Sequence, residues 1–336
     1  MLLYSVRRLL GSVLVLLASS FIVYMFCAVQ FDPLSRFRNA NPPHSAEFFA
    51  NQRHILGLDK PVIVRYGLWL KGLVHLDFHS LAFIRFNFGN DVNNASVSRQ
   101  LATRLAVTSK MVAFAIVLAI VIAIVLGVIS GVRRDKPIDG VVTILTFMLI
   151  ALPTFWFAAL IKEAAIHLNQ DAGTSFYTIG NISPGLNTYG SAGQIRKDEL
   201  LHLILPTVSL ALLTTSGWIR YQRASTIDVL DADYMRLARA KGVRWPTVIR
   251  RHGLRNALIP LTTVVAIDVG ALFGGAIITE QVYVWHGMGE YLNSSLGLQD
   301  VNAVVGWVMV SALFVVLFNL VADLLYAALD PRIRLQ

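Results

Sequence analysis

One cysteine, Cys27, leaves no partner for an internal disulfide, and its place inside an apolar run makes it a small buried hydrophobe. Charge is sparse as well. Only 15% of the residues are Asp, Glu, Lys or Arg, against about 25% in an ordinary soluble domain. Motifs that carry chemistry are missing. No G-x-x-x-x-G-K-[ST] loop is present to cradle nucleotide phosphates; Ala240-Lys241-Gly242 has the wrong order and no glycine loop before it. No H-E-x-x-H pair and no G-x-S-G within an apolar run offer a membrane protease. His75 and His79 stand four residues apart, a spacing that chance supplies often, and interfacial packing is the better reading than metal binding. These absences predict a chain without catalysis, cofactor or metal of its own.

What is present is apolar. The 336 residues are 55% hydrophobic, with a mean hydropathy of +0.60. A spanning helix needs about 20 mostly apolar residues, and six runs qualify: 9–31, 105–131, 141–167, 200–219, 258–279 and 301–327. Pro153 and Pro206 fall inside the third and fourth, where membrane helices tolerate proline if neighbours satisfy the freed backbone. Pro260 opens the fifth. The first run follows Arg7 and Arg8, but it is too long for a signal-peptide core and no A-x-A site follows, so it reads as a retained helix. The fold class is therefore an all-α integral membrane protein with six transmembrane helices.

The net charge of +9 is not spread evenly. With the N-terminus inside, the inner segments hold Arg7, Arg8, Arg133, Arg134, Lys136, nine basic residues between Arg220 and Arg255, and Arg332 and Arg334. The short outer loops hold only Arg196 and Lys197, and 282–300 holds none. That asymmetry predicts both termini in the cytoplasm. It also attributes the basic charge to topology and membrane lipid rather than to nucleic acid.

The chain divides into 1–31 (N-terminal tail and first span), 32–104 (an external cap segment) and 105–336 (a core of five spans). The cap segment carries Trp69, Phe78, Phe83, Phe86 and Phe88, too many rings for a free linker. In 282–300, Glu290 and Asp300 supply acid, and Trp285 and Tyr291 are placed to anchor at the membrane surface. Lys162 and Glu163 stand near one end of the third span, where long side chains reach the interface.

The inner loop 220–257 is the most informative stretch. Asp231 or Asp233 can cap a short helix whose mostly apolar face is Leu230, Tyr234, Leu237, Ala238 and Lys241. Gly242 follows as a C′ residue, and a second helix starts at Pro246. The tip carries Ala238, Ala240 and Gly242, small enough for another protein to approach closely. Binding of anionic headgroups by the basic residues is the alternative. In the fifth span, Asp268 costs about 2.5–3.5 kcal/mol if it faces lipid. It therefore lines a polar path or hydrogen-bonds another helix.

The stretch Asp233-Tyr234-Met235-Arg236-Leu237-Ala238-Arg239-Ala240-Lys241-Gly242, continued by Arg251-His252-Gly253-Leu254-Arg255-Asn256-Ala257-Leu258-Ile259-Pro260, resembles the coupling loop of ABC-importer permeases, in the form found in the dipeptide/oligopeptide subfamily. Leu152-Pro153-Thr154-Phe155-Trp156, Val284-Trp285-His286-Gly287-Met288-Gly289 and Leu329-Asp330-Pro331-Arg332 extend the likeness along the chain. Arg236-Leu237-Ala238 stands where the wider family has Glu-Ala-Ala, and His286 where it has proline. The resemblance, to the first of the two permeases in such systems, implies a type I importer permease fold in a bacterial plasma (inner) membrane. It implies a second homologous permease, two ATPase subunits that bind ATP and Mg, an extracytoplasmic peptide-binding lipoprotein, and a peptide substrate. It also implies ATPase coupling through Arg236, Ala238, Arg239, Ala240, Lys241, Gly242 and Arg251, with Asp268 on the translocation pathway.

Overall fold

The computed structural model describes residues 2–38, 42–76 and 84–329. Phe78, His79, Phe83, Arg332 and Arg334 lie outside the described residues. Two compact units form, Met1–Val107 with Gly287–Val316 and Thr108–His286 with Leu317–Gln336.

Among the described residues, five helices are long and apolar enough to cross a membrane. They are α1 (Leu2–Gln30), α5 (Val97–Val132), α9 (Ala192–Leu230), α12 (Leu254–Gly275) and α15 (Val301–Leu329). The third apolar run is not one rod. It breaks into α6 (Pro137–Ala151) and α7 (Thr154–Asp171), bent by 109°, and the pair counts as a sixth span if it crosses as one. Pro153 stops α6 because the residue before a proline is pushed out of the helical region; Leu152 lies extended at ψ 131°. Pro206 and Pro260 instead remain inside α9 and α12. Pro260 therefore does not open the fifth span, which begins at Leu254 after a π-turn at Ile249–Gly253.

In the first unit, α1 is joined by α2 (Ser35–Arg38), α3 (Ala46–Ile55), α4 (Val62–Leu73) and α14 (Met288–Gly297). Among the described residues, a small antiparallel hairpin, β1 (Val74–Leu76) with β2 (Ile84–Phe86), is the one pair of strands, with His75 opposite Arg85. The aromatic residues supply its core. Tyr66 meets Tyr24 edge to face at a ring distance of 5.4 Å and stacks with Trp69 at 6.0 Å, and the Trp69 indole donates to the Phe88 carbonyl at 3.0 Å. Phe86 stays half exposed.

Residues 282–300 differ from the sequence expectation. Trp285 and Tyr291 are only 2% and 4% exposed, so they are core rings and not surface anchors. A pattern of ring types cannot say which way a loop turns them. Asp300 is buried too, accepting the Val92 and Ala303 amides at 2.7 and 2.9 Å, while Glu290 pairs with Arg104. Burial pushes the Asp300 carboxyl above its ordinary range, against the pull of those amides.

In the second unit, α9 is the central column. It starts on a Ser191–Gln194 capping box and buries Trp218, Gln222 and Thr226 along its length. α13 (Ile277–Tyr283) packs on α7 and α9, with the Tyr283 hydroxyl shared between Ser209 at 2.7 Å and the Ala158 carbonyl at 3.2 Å. Lys162 donates to the Val282 carbonyl at 2.8 Å, and Glu163 beside it is exposed. Between α7 and α9, residues 172–191 are mostly irregular, with one short helix, α8 (Leu186–Tyr189).

Candidate functional site

The loop after α9 folds into α10 (Asp233–Ala240), a turn, α11 (Trp245–Val248) and the π-turn that leads into α12. α9 ends at Asp231, and the residue that enters α10 is Ala232, which has no side-chain cap. Neither acid is the N-cap. Asp233 is the first helical residue, where its charge still suits the dipole. Gly242 closes α10 at φ +78°, a left-handed position open to glycine at little steric cost, and its amide donates to the Arg239 carbonyl at 2.9 Å.

The apolar face of α10 is placed differently from the helical-spacing expectation. Met235 is the residue that turns inward, fully buried beside Gly253. Tyr234 and Leu237 face out, at 42% and 57% exposed. Arg236, Arg239, Ala240, Lys241, Gly242 and Arg251 are exposed, and Ala238 is half buried. Arg239 lies over the Trp245 ring at 4.6 Å, holding the turn between α10 and α11. The result is an outward surface with two large apolar side chains among cations.

Beneath it, α9 is fixed to its neighbours. Gly127 and Gly131 of α5 let α9 come so close that a Cβ at either would meet Gln222 or Thr226 at 2.6 and 2.7 Å. The Arg223 guanidinium forks onto both Asp139 oxygens at 2.6 and 2.7 Å, and the Ser130 hydroxyl donates to the same carboxylate. The Ser225 hydroxyl donates to the Ala257 carbonyl at 2.9 Å, tying α9 to α12. The loop is thus seated on a junction of α5, α6, α9 and α12. Sequence reasoning missed Asp139, Arg223 and the glycine pair, although the small-xxx-small spacing of Gly127 and Gly131 was there to be read.

Asp268 stands apart from the loop, on α12. Its carboxylate accepts the Trp218 indole N–H at 2.7 Å and remains half buried. That bond is the interhelical contact named as one of its two readings. No group of three or more metal-binding side chains occurs among the described residues.

Residues 123–335 match the model of the family described as "Binding-protein-dependent transport system inner membrane component", and residues 1–112 match its companion for the N-terminal part. An oligopeptide transport system permease protein of Mycobacterium bovis is 34% identical over 334 residues, covering 99% of both chains. A second oligopeptide permease, from Bacillus subtilis, is 32% identical over 333 residues, or 98% of this chain and 99% of that one. A glutathione transport system permease of Salmonella choleraesuis is 32% identical over 335 residues, again 99% of each. Among solved structures, a chain of the MetNI methionine ABC transporter in an inward-facing conformation aligns with a TM-score of 0.50 at 16% identity, covering 69% of this chain and 97% of that one. That likeness concerns the fold alone, and the fold is that of a type I importer permease. The chain is thus a multi-pass membrane protein belonging to the family of binding-protein-dependent transport system inner membrane components, the permease subunits of ABC importers.

Proposed function

We propose that this permease serves an ATP-driven importer of peptides in a bacterial inner membrane, with both termini in the cytoplasm. The names of its relatives support the substrate class, since they are permeases for oligopeptides and glutathione. Its partners are a second homologous permease, with which it forms the path, two ATPase subunits and an extracytoplasmic peptide-binding lipoprotein. ATP and Mg belong to the ATPases, because this sequence has no phosphate-binding loop. Segment 32–104 faces outward toward the binding protein, and 220–257 faces the ATPase.

The observation that carries the coupling role is the outward surface of α10. Tyr234 and Leu237 are exposed on it, while Met235 holds the helix to its own chain. A short helix that turns two of its three large apolar residues outward fits a groove on another protein. Arg236, Ala238, Arg239, Ala240, Lys241, Gly242 and Arg251 surround that contact. Movement there reaches the spans through the Arg223–Asp139 pair and the glycine seam of α5 with α9. Alternating access follows when ATP binding and hydrolysis draw the loop between two positions.

Gly242→Pro tests the assignment. Proline holds φ near −65° and lacks an amide, so it satisfies neither the +78° turn nor the bond to Arg239. The assembled transporter in proteoliposomes should lose peptide uptake at least tenfold while the chain still inserts and the ATPase still hydrolyses ATP. Normal uptake would overturn the docking role.

A further inference from the structure

Behind the loop, the second unit carries a groove of about 400 Å³ that no residue of α10 lines. Its walls are aliphatic: Val128, Ile129 and Val132 of α5, Ile138 of α6, and Pro246 and Ile249 beyond the Gly242 turn. Arg133 lines it as well and is exposed. We propose that this groove binds an anionic phospholipid, one acyl chain lying in the groove and the headgroup phosphate on Arg133.

Three observations favour that occupant. The first is depth. The apolar run of α5 ends at Val132, and Arg133, Arg134, Asp135 and Lys136 follow without interruption. A groove whose walls end where the charges begin lies at the level where hydrocarbon gives way to headgroups. The second is continuity. α5 exposes Val117, Val121 and Val125, and α6 exposes Ile138, Val141 and Leu145. Both stripes lead along their helices to the groove walls, so a chain in the groove continues the surface that acyl chains already cover. The third is charge. Arg134 is engaged by Asp135 and Asp231, but among the described residues no acid pairs with Arg133, Lys136 or Arg250, and all three are exposed. A phosphate diester offers the planar guanidinium of Arg133 two oxygens, and the neighbouring cations add to the field that draws an anionic headgroup.

A protein segment is the competing occupant. Against it, only seven residues line the groove, where each side of a stable interface takes about 20–30. The loop's large outward side chains, Tyr234 and Leu237, also lie on α10 and not here.

The test uses the assembled transporter in phosphatidylcholine nanodiscs doped with phosphatidylglycerol that carries a photoreactive group on one acyl chain. After irradiation, label should concentrate on peptides spanning 128–138 and 245–249. Excess unlabelled phosphatidylglycerol should compete it away, and excess phosphatidylcholine should not. Arg133→Glu should cut groove labelling about tenfold, while labelling along 114–125 stays unchanged and reports an intact, inserted chain. Equal labelling by photoreactive phosphatidylcholine, or none lost in Arg133→Glu, would make the groove ordinary lipid surface and overturn the proposal. So would an Ile249→Cys variant that cross-links efficiently to a partner subunit while the groove takes no lipid label.

Discussion

Asp268 has two oxygens, and the Trp218 indole satisfies one of them at 2.7 Å. A carboxylate in mid-span has a steep cost, and one neutral donor offsets only part of it. Its remaining exposure lets the charge act on something beside α12, and the amino terminus of a peptide is the partner that the importer reading supplies. Asp268→Asn separates the two roles. The amide oxygen still accepts from Trp218, so the helix contact survives, but the charge is gone. If the charge meets a cationic terminus in the pathway, uptake should fall about tenfold or more, the scale of one charge-assisted hydrogen bond, with thermal stability nearly unchanged. Full uptake by Asp268→Asn, with loss of stability in Asp268→Leu, would leave only the packing role. The sequence exposed this residue because an acid in an apolar run stands out. It could not choose between polar path and helix contact, because that depends on a tryptophan fifty residues away.

At the scale of elements, the junction of α5, α6 and α9 combines a close glycine seam with one nearly buried ion pair. The Asp139 side chain is 6% exposed and Arg223 31%. Asp139→Ala strands a guanidinium and should destabilise the assembled complex by about 3 kcal/mol, the low end for a broken buried pair, since Arg223 keeps some water. Arg223→Ala should do the same from the other side. The exchange of Asp139→Arg with Arg223→Asp should recover part of the loss in a thermal unfolding assay, but not all, because the Ser130 hydroxyl and Asp135 amide are oriented toward an acceptor. Additive losses with no recovery would mean that the pair holds nothing together. Elements show where sequence reading stops. The apolar runs were legible because period and length decide them locally. The break at Pro153 was not, since Pro206 and Pro260 look alike in sequence and stay helical. A proline in an apolar run breaks or keeps its helix according to how its neighbours satisfy the freed carbonyl, which is a tertiary matter. The same limit hid the burial of Trp285, Tyr291 and Asp300, while the turn of the loop was readable from a glycine standing just past a short helical pattern, and Gly242 indeed takes a left-handed angle.

For the whole molecule, orientation rests on charge alone. The basic residues near span ends gather at 7–8, 133–136 and 220–255, and the short segments between the other ends hold Arg196 and Lys197. Insertion keeps short basic flanks on the cytoplasmic side. The segment 32–104 carries basic residues too, but a stretch of that length crosses largely regardless of charge. The two readings of its side are therefore separable by experiment. In a Cys27→Ala background, Tyr189→Cys and Glu47→Cys place single thiols at exposed positions of 168–199 and 32–104, and Asp231→Cys places one on the loop before α10. Intact cells treated with a membrane-impermeant maleimide should label the first two and leave the third untouched until the membrane is permeabilised. Labelling of Asp231→Cys from outside would invert the topology and remove the ATPase-docking role from 220–257. Labelling of Tyr189→Cys with protection of Glu47→Cys, even after the binding protein is removed, would instead put 32–104 on the wrong side for a cap. The pattern with both outer thiols reactive and the inner one silent fits four crossings between a cytoplasmic N-terminus and Asp231, by α1, α5, the helix pair α6 and α7 counted as one, and α9.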